Sequence, residues 1–203
     1  MSEYDPLIPE SSAAVADDLE RVQEHFEAAS RPYLASSLSW FAWALLLPAA
    51  ALGTPAANRA RGGTGVLLLW SVVILIGGVI EMAPHFSRRR GARLGSTPLA
   101  SWVLRVQGNL SLVAGVLSVM LVVQDLAWAL PGLWLLLLGH SLYQLGGLAF
   151  PAFRACGVLY QLAGAVALWP HAQPLLVFAV ATALGNLWVG LAVARRRAEL
   201  QTV

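Results

Sequence analysis

The stretch PLASWVLRVQGNLSLVAGVLSVMLVV, residues 98–123, decides the fold class of this chain. As a helix it is long enough to cross the hydrocarbon core of a bilayer, which takes about 20 mostly apolar residues. It nevertheless carries an arginine, Arg105, near its beginning. A charge in hydrocarbon is costly and usually faces a bundle interior, a partner or a wet cavity. The stretch therefore predicts a membrane helix that holds a polar group with a structural or functional role.

The composition of the whole chain supports a membrane protein. Hydrophobic residues make up 58% of the 203 residues and charged residues only 12%, which is typical of integral membrane proteins and not of soluble domains. Apolar segments of spanning length, separated by turn residues, predict six spans: 35–56, 65–84, 98–123, 127–150, 152–170 and 174–195. The predicted fold is all-α, a polytopic bundle of six transmembrane helices that occupies residues 35–197.

The distribution of arginines predicts the orientation of this bundle. With both termini in the cytoplasm, ten arginines lie on the inner side and only Arg59 and Arg61 on the outer side. Short cytoplasmic loops carry an excess of basic residues. We therefore expect a multi-pass protein of the bacterial inner membrane, with both termini cytoplasmic and residues 198–203 as a cytoplasmic tail.

The first 34 residues form a separate, acidic segment. They contain eight acidic residues and two arginines. Apolar residues recur there at helical spacing: Val15, Leu19, Val22 and Phe26. Because acidic residues occupy the other face, the pattern predicts a cytoplasmic amphipathic helix over residues 13–30. This helix either rests on the cytoplasmic side of its own bundle or binds a protein partner. Insertion into a membrane surface is less favoured, since such helices are usually basic.

Strongly polar side chains of the predicted spans lie at similar depths. Counted at about 1.5 Å per residue, most lie about 9–15 Å from the cytoplasmic end of their span, and one lies about 3 Å in. The candidate polar site consists of Glu81, Arg105, Asn109, His140, Gln144, Gln161 and Asn186. Arg105 and Asn109 are four residues apart and share a helix face. His140 and Gln144 share a face for the same reason.

Two interpretations of this polar layer stay open. In the first, the amides and the imidazole hydrogen-bond across helices, and Arg105 pairs with Glu81. The protein would then have a regulatory, structural or assembly role, or be an accessory subunit of a larger membrane complex. In the second, the layer lines a cavity open to the cytoplasm, as in a small transporter or channel. Arg105 would then hold an anionic or polar ligand, and His140 could titrate near neutral pH.

Sequence motifs of enzymes are absent from this chain. It contains no G-x-S-x-G, H-E-x-x-H, P-loop or G-x-G-x-x-G pattern, and Cys156 is its only cysteine. We therefore expect no enzymatic activity, no metal or other cofactor, and no nucleic-acid partner. The expected partner is the lipid bilayer. A protein bound through residues 13–30 and a homo-oligomer are the further partners considered.

Residues 130–139, LPGLWLLLLG, resemble a signature of small uncharacterised bacterial membrane proteins. The resemblance extends from Glu24 to Arg197. It implies a soluble N-terminal helix, roughly six spans and a final helix with a basic tail, and it implies no known activity. The chain is also similar to HdeD-like stress membrane proteins, whose spans repeat small-residue motifs and end at prolines such as Pro170. The long acidic N-terminal segment departs from that second pattern.

Overall fold

A computed structural model of the chain describes residues 17, 37–88, 98–148 and 150–201. These residues are helical wherever they have regular structure, so the prediction of an all-α protein is confirmed for the described part. It contains five α-helices: α1 Ser37–Arg88, α2 Pro98–Val123, α3 Leu130–Leu148, α4 Pro151–Ala167 and α5 Pro174–Gln201. A short 3-10 helix, Ala127–Ala129, leads into α3. The predicted amphipathic helix over 13–30 lies outside the described residues, apart from Asp17.

The prediction of six transmembrane helices is wrong. In the described parts of the chain, two helices are long and apolar enough to cross a membrane, Ser37–Glu81 and Pro174–Glu199. The apolar part of α2, Gly108–Val123, is shorter. The turn residues 53–55 were expected to end the first span. The helix runs through them, and its backbone is non-helical only at Arg61 and Gly62, so the first two predicted spans are the two limbs of one helical element, α1.

Helix α1 has two limbs that meet at a sharp kink. Gly62 lies there with φ 58° and ψ −149°, a positive φ that glycine adopts without the steric cost of a Cβ. The two limbs fold back on each other. The indole Nε1 of Trp70 donates a hydrogen bond to the Thr54 hydroxyl at 3.1 Å, and the Trp43 ring packs against Gly77. Helix α1 is therefore an antiparallel hairpin, called hairpin 1 below.

Helices α2 and α3 form a second hairpin, hairpin 2, that contains the same contact. The indole Nε1 of Trp134 donates to the Ser118 hydroxyl at 3.1 Å, and the two residues are 16 positions apart, as Trp70 and Thr54 are. Each hydroxyl also donates to the carbonyl oxygen four residues before it, at 2.7 Å in both helices. From one hairpin to the other, 54 to 118 and 70 to 134, the offset is 64 residues in both cases. We call this repeated contact the Trp–hydroxyl clamp.

The core lies where α4 and α5 pack against hairpin 1 and α3. Trp40 of α1 stacks at a tilt on Phe153 of α4, with ring centroids 5.3 Å apart. Trp70 meets Phe178 of α5 edge-on at 5.9 Å. The largest fully buried side chains are Tyr160, Phe153, Leu135, Val189, Val193, Thr182 and Cys156. Helix α2 packs chiefly against α3 and the 3-10 helix, so most of its described side chains are exposed.

Helices α3 and α4 approach each other along a line of glycines. A Cβ built on Gly139 would lie 2.7 Å from the carbonyl oxygen of Gly157. One built on Gly164 would lie 2.9 Å from the carbonyl oxygen of Gly132. On each helix the two glycines are seven residues apart, which is about two turns, so they line one face. Small residues permit such close contact between membrane helices.

A large part of the surface is apolar. In the most apolar 18-residue stretch of Ser37–Glu81 only 17% is buried inside the protein, whereas the corresponding share for Pro174–Glu199 is 50%. Individual large side chains such as Leu45 and Val123 are 74% and 73% exposed. The core helix of a soluble protein would be mostly buried, so the exposed apolar faces of α1 are compatible with a membrane environment.

Candidate polar site

The seven residues of the predicted polar layer are distributed over all five helices. Five have exposed side chains: Glu81 on α1, Arg105 and Asn109 on α2, and His140 and Gln144 on α3. Gln161 on α4 is half-buried, and Asn186 on α5 is only 4% exposed. Because most of them face outwards, these residues do not enclose one buried site.

The predicted ion pair between Arg105 and Glu81 is not present among the described side chains. An ion pair does join Arg196 and Glu199 at 3.5 Å, three residues apart on the exposed end of α5. Helix α1 packs chiefly against α5, whereas α2 packs chiefly against α3. Arg105 and Glu81 therefore belong to two hairpins that are held by different neighbours.

Asn186 is bonded within its own helix. Its Nδ2 donates to the carbonyl oxygen of Thr182 at 2.8 Å. The Thr182 hydroxyl in turn donates to the carbonyl oxygen of Phe178 at 2.8 Å. A side-chain hydrogen bond to the carbonyl one turn back satisfies a buried donor without a partner helix. Asn186 thus has a local role here, and its link to the other six residues stays a prediction.

A second buried polar group, on α4, was missed by sequence reasoning. Tyr160 and Cys156 are adjacent on one face of α4, and Gly185 of α5 packs against both, so that a Cβ there would lie 2.8 Å from the Cys156 sulfur. The Tyr160 hydroxyl is buried and has no hydrogen-bond partner in the described part of the chain. The Cys156 thiol lies one turn before it on the same side of α4. The spacing of Cys156 and Tyr160 was the only signal, and it is equally typical of an apolar core.

A polar contact also joins α3 and α4 at the surface. Arg154 Nη2 donates to the Tyr143 hydroxyl at 2.9 Å. The guanidinium carbon lies 4.9 Å from the centroid of the Tyr143 ring, which is a cation–π distance. Gly146 packs against the backbone of Arg154, so the absence of a side chain at Gly146 lets α4 begin close to α3. This contact joins α3 to the beginning of α4 at the surface.

One cavity among the described residues lies away from the polar layer. It has a volume of about 530 Å³ and is open to the surface near the end of α4; its lining residues are Ala165, Val166, Trp169, Pro170, His171 and Ala172. None of the seven predicted site residues lines it. Among the described residues there is also no group of three or more His, Cys, Asp or Glu side chains that could hold a metal ion.

Comparison of the chain with protein-family profiles, with curated proteins and with solved structures finds no match. The arguments about function below therefore rest on the residues and geometry of this chain. The resemblance of residues 130–139 to small bacterial membrane proteins stays a prediction.

Proposed function

We propose that the chain is a non-enzymatic, multi-pass protein of the bacterial inner membrane with a regulatory, structural or assembly role. The apolar surface of α1 and the two helices of spanning length support the membrane location. If both termini are cytoplasmic, most arginines outside the apolar segments lie on the cytoplasmic side, and this excess supports that orientation. An accessory subunit of a larger membrane complex is a form of the same role.

The observation that carries the assembly role is the exposure of Arg105 and Asn109 on α2. They share one helix face, and the described residues around them include exposed apolar side chains such as Leu112 and Val116. A helix with such a surface belongs in a membrane, yet an arginine or an amide that faces lipid is expensive. Contact with another protein removes that cost, because the polar groups find partners and the apolar ones stay buried.

The transporter or channel alternative has less support. It requires Arg105, His140 and their neighbours to converge on a cavity that holds a ligand. The described cavity near Trp169 contains none of them, and five of the seven are exposed on separate helix faces. We therefore retain transport as the alternative function. A ligand-dependent flux in liposomes would support it.

Membrane location and orientation are tested by fractionation and by reporter fusions. We expect the full chain in the carbonate-washed inner-membrane fraction. A fluorescent protein that matures only in the cytoplasm should be bright at the C-terminus, and alkaline phosphatase should be active when inserted at Gly63, next to the kink of α1. Phosphatase activity at the C-terminus, or a chain recovered in the soluble fraction, contradicts this part of the proposal.

The assembly role is tested through residues 1–30. Quantitative cross-linking in cells should recover a defined partner with the full chain and lose it when residues 1–30 are deleted. Replacing Leu19 and Phe26 by Asp should give the same loss, because it removes the apolar face of the predicted helix. Replacing Asp18 and Glu20 by Asn and Gln is the matched control. A full cellular phenotype after the deletion contradicts a role for this segment.

A further inference from the structure

Arg105 and Glu81 are opposite charges on the exposed surface of different hairpins. Both side chains are exposed, and no ion pair joins them in the described part of the chain. Each lies on a helix whose other exposed residues are largely apolar. A charge in such a position needs a partner of the opposite sign if the helix is embedded in a membrane.

The Trp–hydroxyl clamps allow the levels of the two charges to be compared. In both hairpins the clamp lies near the end where the chain turns, at Gly62 in hairpin 1 and at Asp125 in hairpin 2. Glu81 follows Trp70 by 11 residues, and Arg105 precedes Ser118 by 13 residues. At 1.5 Å per residue these separations are about 17 Å and about 20 Å from the clamp. Each charge therefore lies at nearly the same distance from the clamp of its own hairpin, to within about 3 Å, on the side away from the turn.

From this arrangement we propose that the chain self-associates, with Arg105 of one copy paired to Glu81 of a second copy. The proposal rests on the membrane location proposed above. Two copies in one membrane have the same orientation, so a two-fold axis that relates them runs along the membrane normal and preserves levels. Each Arg105 then meets an acidic residue of matching level on the other copy, and the pair occurs twice.

The face of α2 next to Arg105 leaves room for a second helix. Gly108 and Gly115 follow Arg105 on the same side of α2, and a Cβ built on either would meet no atom within 4 Å. The positions 64 residues earlier, in hairpin 1, are Ala44 and Ala51, which are 9% and 0% exposed. The same side of the repeated hairpin is thus covered by protein in hairpin 1 and open in hairpin 2. Small residues on the open side allow the close approach that membrane helices use to associate.

Charge exchange in the full-length protein provides the test. Arg105→Glu and Glu81→Arg are made singly and together, and association is measured in lipid nanodiscs and liposomes by native mass spectrometry and by energy transfer between labelled copies. We expect a dimer for the parent chain, a loss of about tenfold or more in association for each single exchange, and recovery in the double exchange. Arg59→Glu, an exposed charge near the turn of hairpin 1, is the matched control and should leave the dimer intact.

Two further measurements keep the proposal testable if an exchanged variant folds poorly. Arg105→Gln and Glu81→Gln remove the charges with little change of shape and should each weaken the dimer to a similar extent. In a Cys156→Ala background, a copy carrying Gly108→Cys should cross-link in native membranes to a co-expressed copy carrying Gly78→Cys, one turn from Glu81, whereas it should not cross-link to a copy carrying Gly63→Cys near the hairpin 1 turn. A monomeric parent chain, a dimer that persists in every single variant, or a double exchange that fails to recover association overturns the proposal. Membrane fractionation of the same samples reports separately on the membrane location.

Discussion

Replacing Gly139 by alanine tests the close contact between α3 and α4. The added methyl carbon would lie 2.7 Å from the Gly157 carbonyl oxygen and 2.8 Å from the Gln161 backbone nitrogen. Ordinary contacts of a Cβ begin at 3.4 Å, so the helices must separate locally by about 0.7 Å, and backbone atoms cannot rotate away. Overpacking of this kind costs about 1–3 kcal/mol. That range corresponds to a decrease of roughly 5-fold to 150-fold in the equilibrium constant for folding.

Reversible unfolding in mixed micelles, followed by circular dichroism during a titration with a denaturing detergent, measures this change. Gly78→Ala is the matched control, because a Cβ on Gly78 would meet nothing within 4 Å. In a helix interior alanine is favoured over glycine by about 0.5–1 kcal/mol, so the control should unfold at the same or a higher detergent fraction. Gly139→Ala should unfold at a lower one despite the same intrinsic gain.

The double variant Gly139→Ala with Gly157→Ala separates local strain from a general effect of alanine. Once one methyl group has pushed the helices apart, the second has more room, so the combined cost should be less than the sum of the two single costs. If Gly139→Ala were as stable as Gly78→Ala, the α3–α4 distance described here would be wrong. The argument about the glycine line would fail with it.

Three other predictions follow from single contacts. Trp134→Phe removes the donor of the hairpin 2 clamp and should lower the free energy of unfolding by about 0.6 kcal/mol, the average for hydrogen bonds between membrane helices. Ser118→Ala should cost less in the Trp134→Phe background than in the parent chain, because the clamp is already lost there. A double-mutant cycle in the same micelle assay checks this. Phe153→Ala empties a fully buried site and should cost about 3–5 kcal/mol, with wild-type stability contradicting the core assignment. His140→Gln should keep fold and cellular phenotype, because His140 is exposed and an amide can replace one donor or acceptor; abolished pH dependence of the phenotype between pH 5 and 8, with unchanged stability, would instead indicate a proton-linked role.

Much of the helix placement could be predicted from apolar segment lengths and turn residues. The predicted segment 98–123 coincides with α2, Pro98–Val123, and the break predicted at Pro151 lies at the first residue of α4. The number of spans could not be predicted in the same way. An interior proline such as Pro55 removes a backbone donor and crowds the carbonyl of the preceding turn, but in a membrane helix neighbouring groups can satisfy the freed backbone, and here the helix continues past it to the kink at Gly62.

For the polar residues, the sequence could predict the position along each helix but not the direction in which each side chain points. Helical rise gives the level of Arg105 or Gln144 along its helix, and the four-residue spacing shows which residues share a face. Which face meets the core depends on an asymmetry between apolar and polar sides, and α2 is apolar on nearly every side. Tyr160 and Cys156 were missed for the opposite reason, since both are common in apolar cores and only the contact with Gly185 reveals their burial.

The clamp also changes how internal repetition in this chain is understood. In the sequence, Gly77 with Gly78 before Pro84 and Gly146 with Gly147 before Pro151 suggest a repeat based on small residues. In the structure Gly77 packs against a tryptophan ring and Gly146 against the backbone of α4, so the two sites have different neighbours. The clamps, by contrast, repeat the donor, the acceptor and the spacing of 16 residues. The repeated unit is therefore a helical hairpin closed by a tryptophan, and its two copies differ in what covers them. In hairpin 1 the side that carries Ala44 and Ala51 is buried, whereas in hairpin 2 the corresponding side, beside Arg105, is open. The open side of hairpin 2 is where a second protein chain would bind.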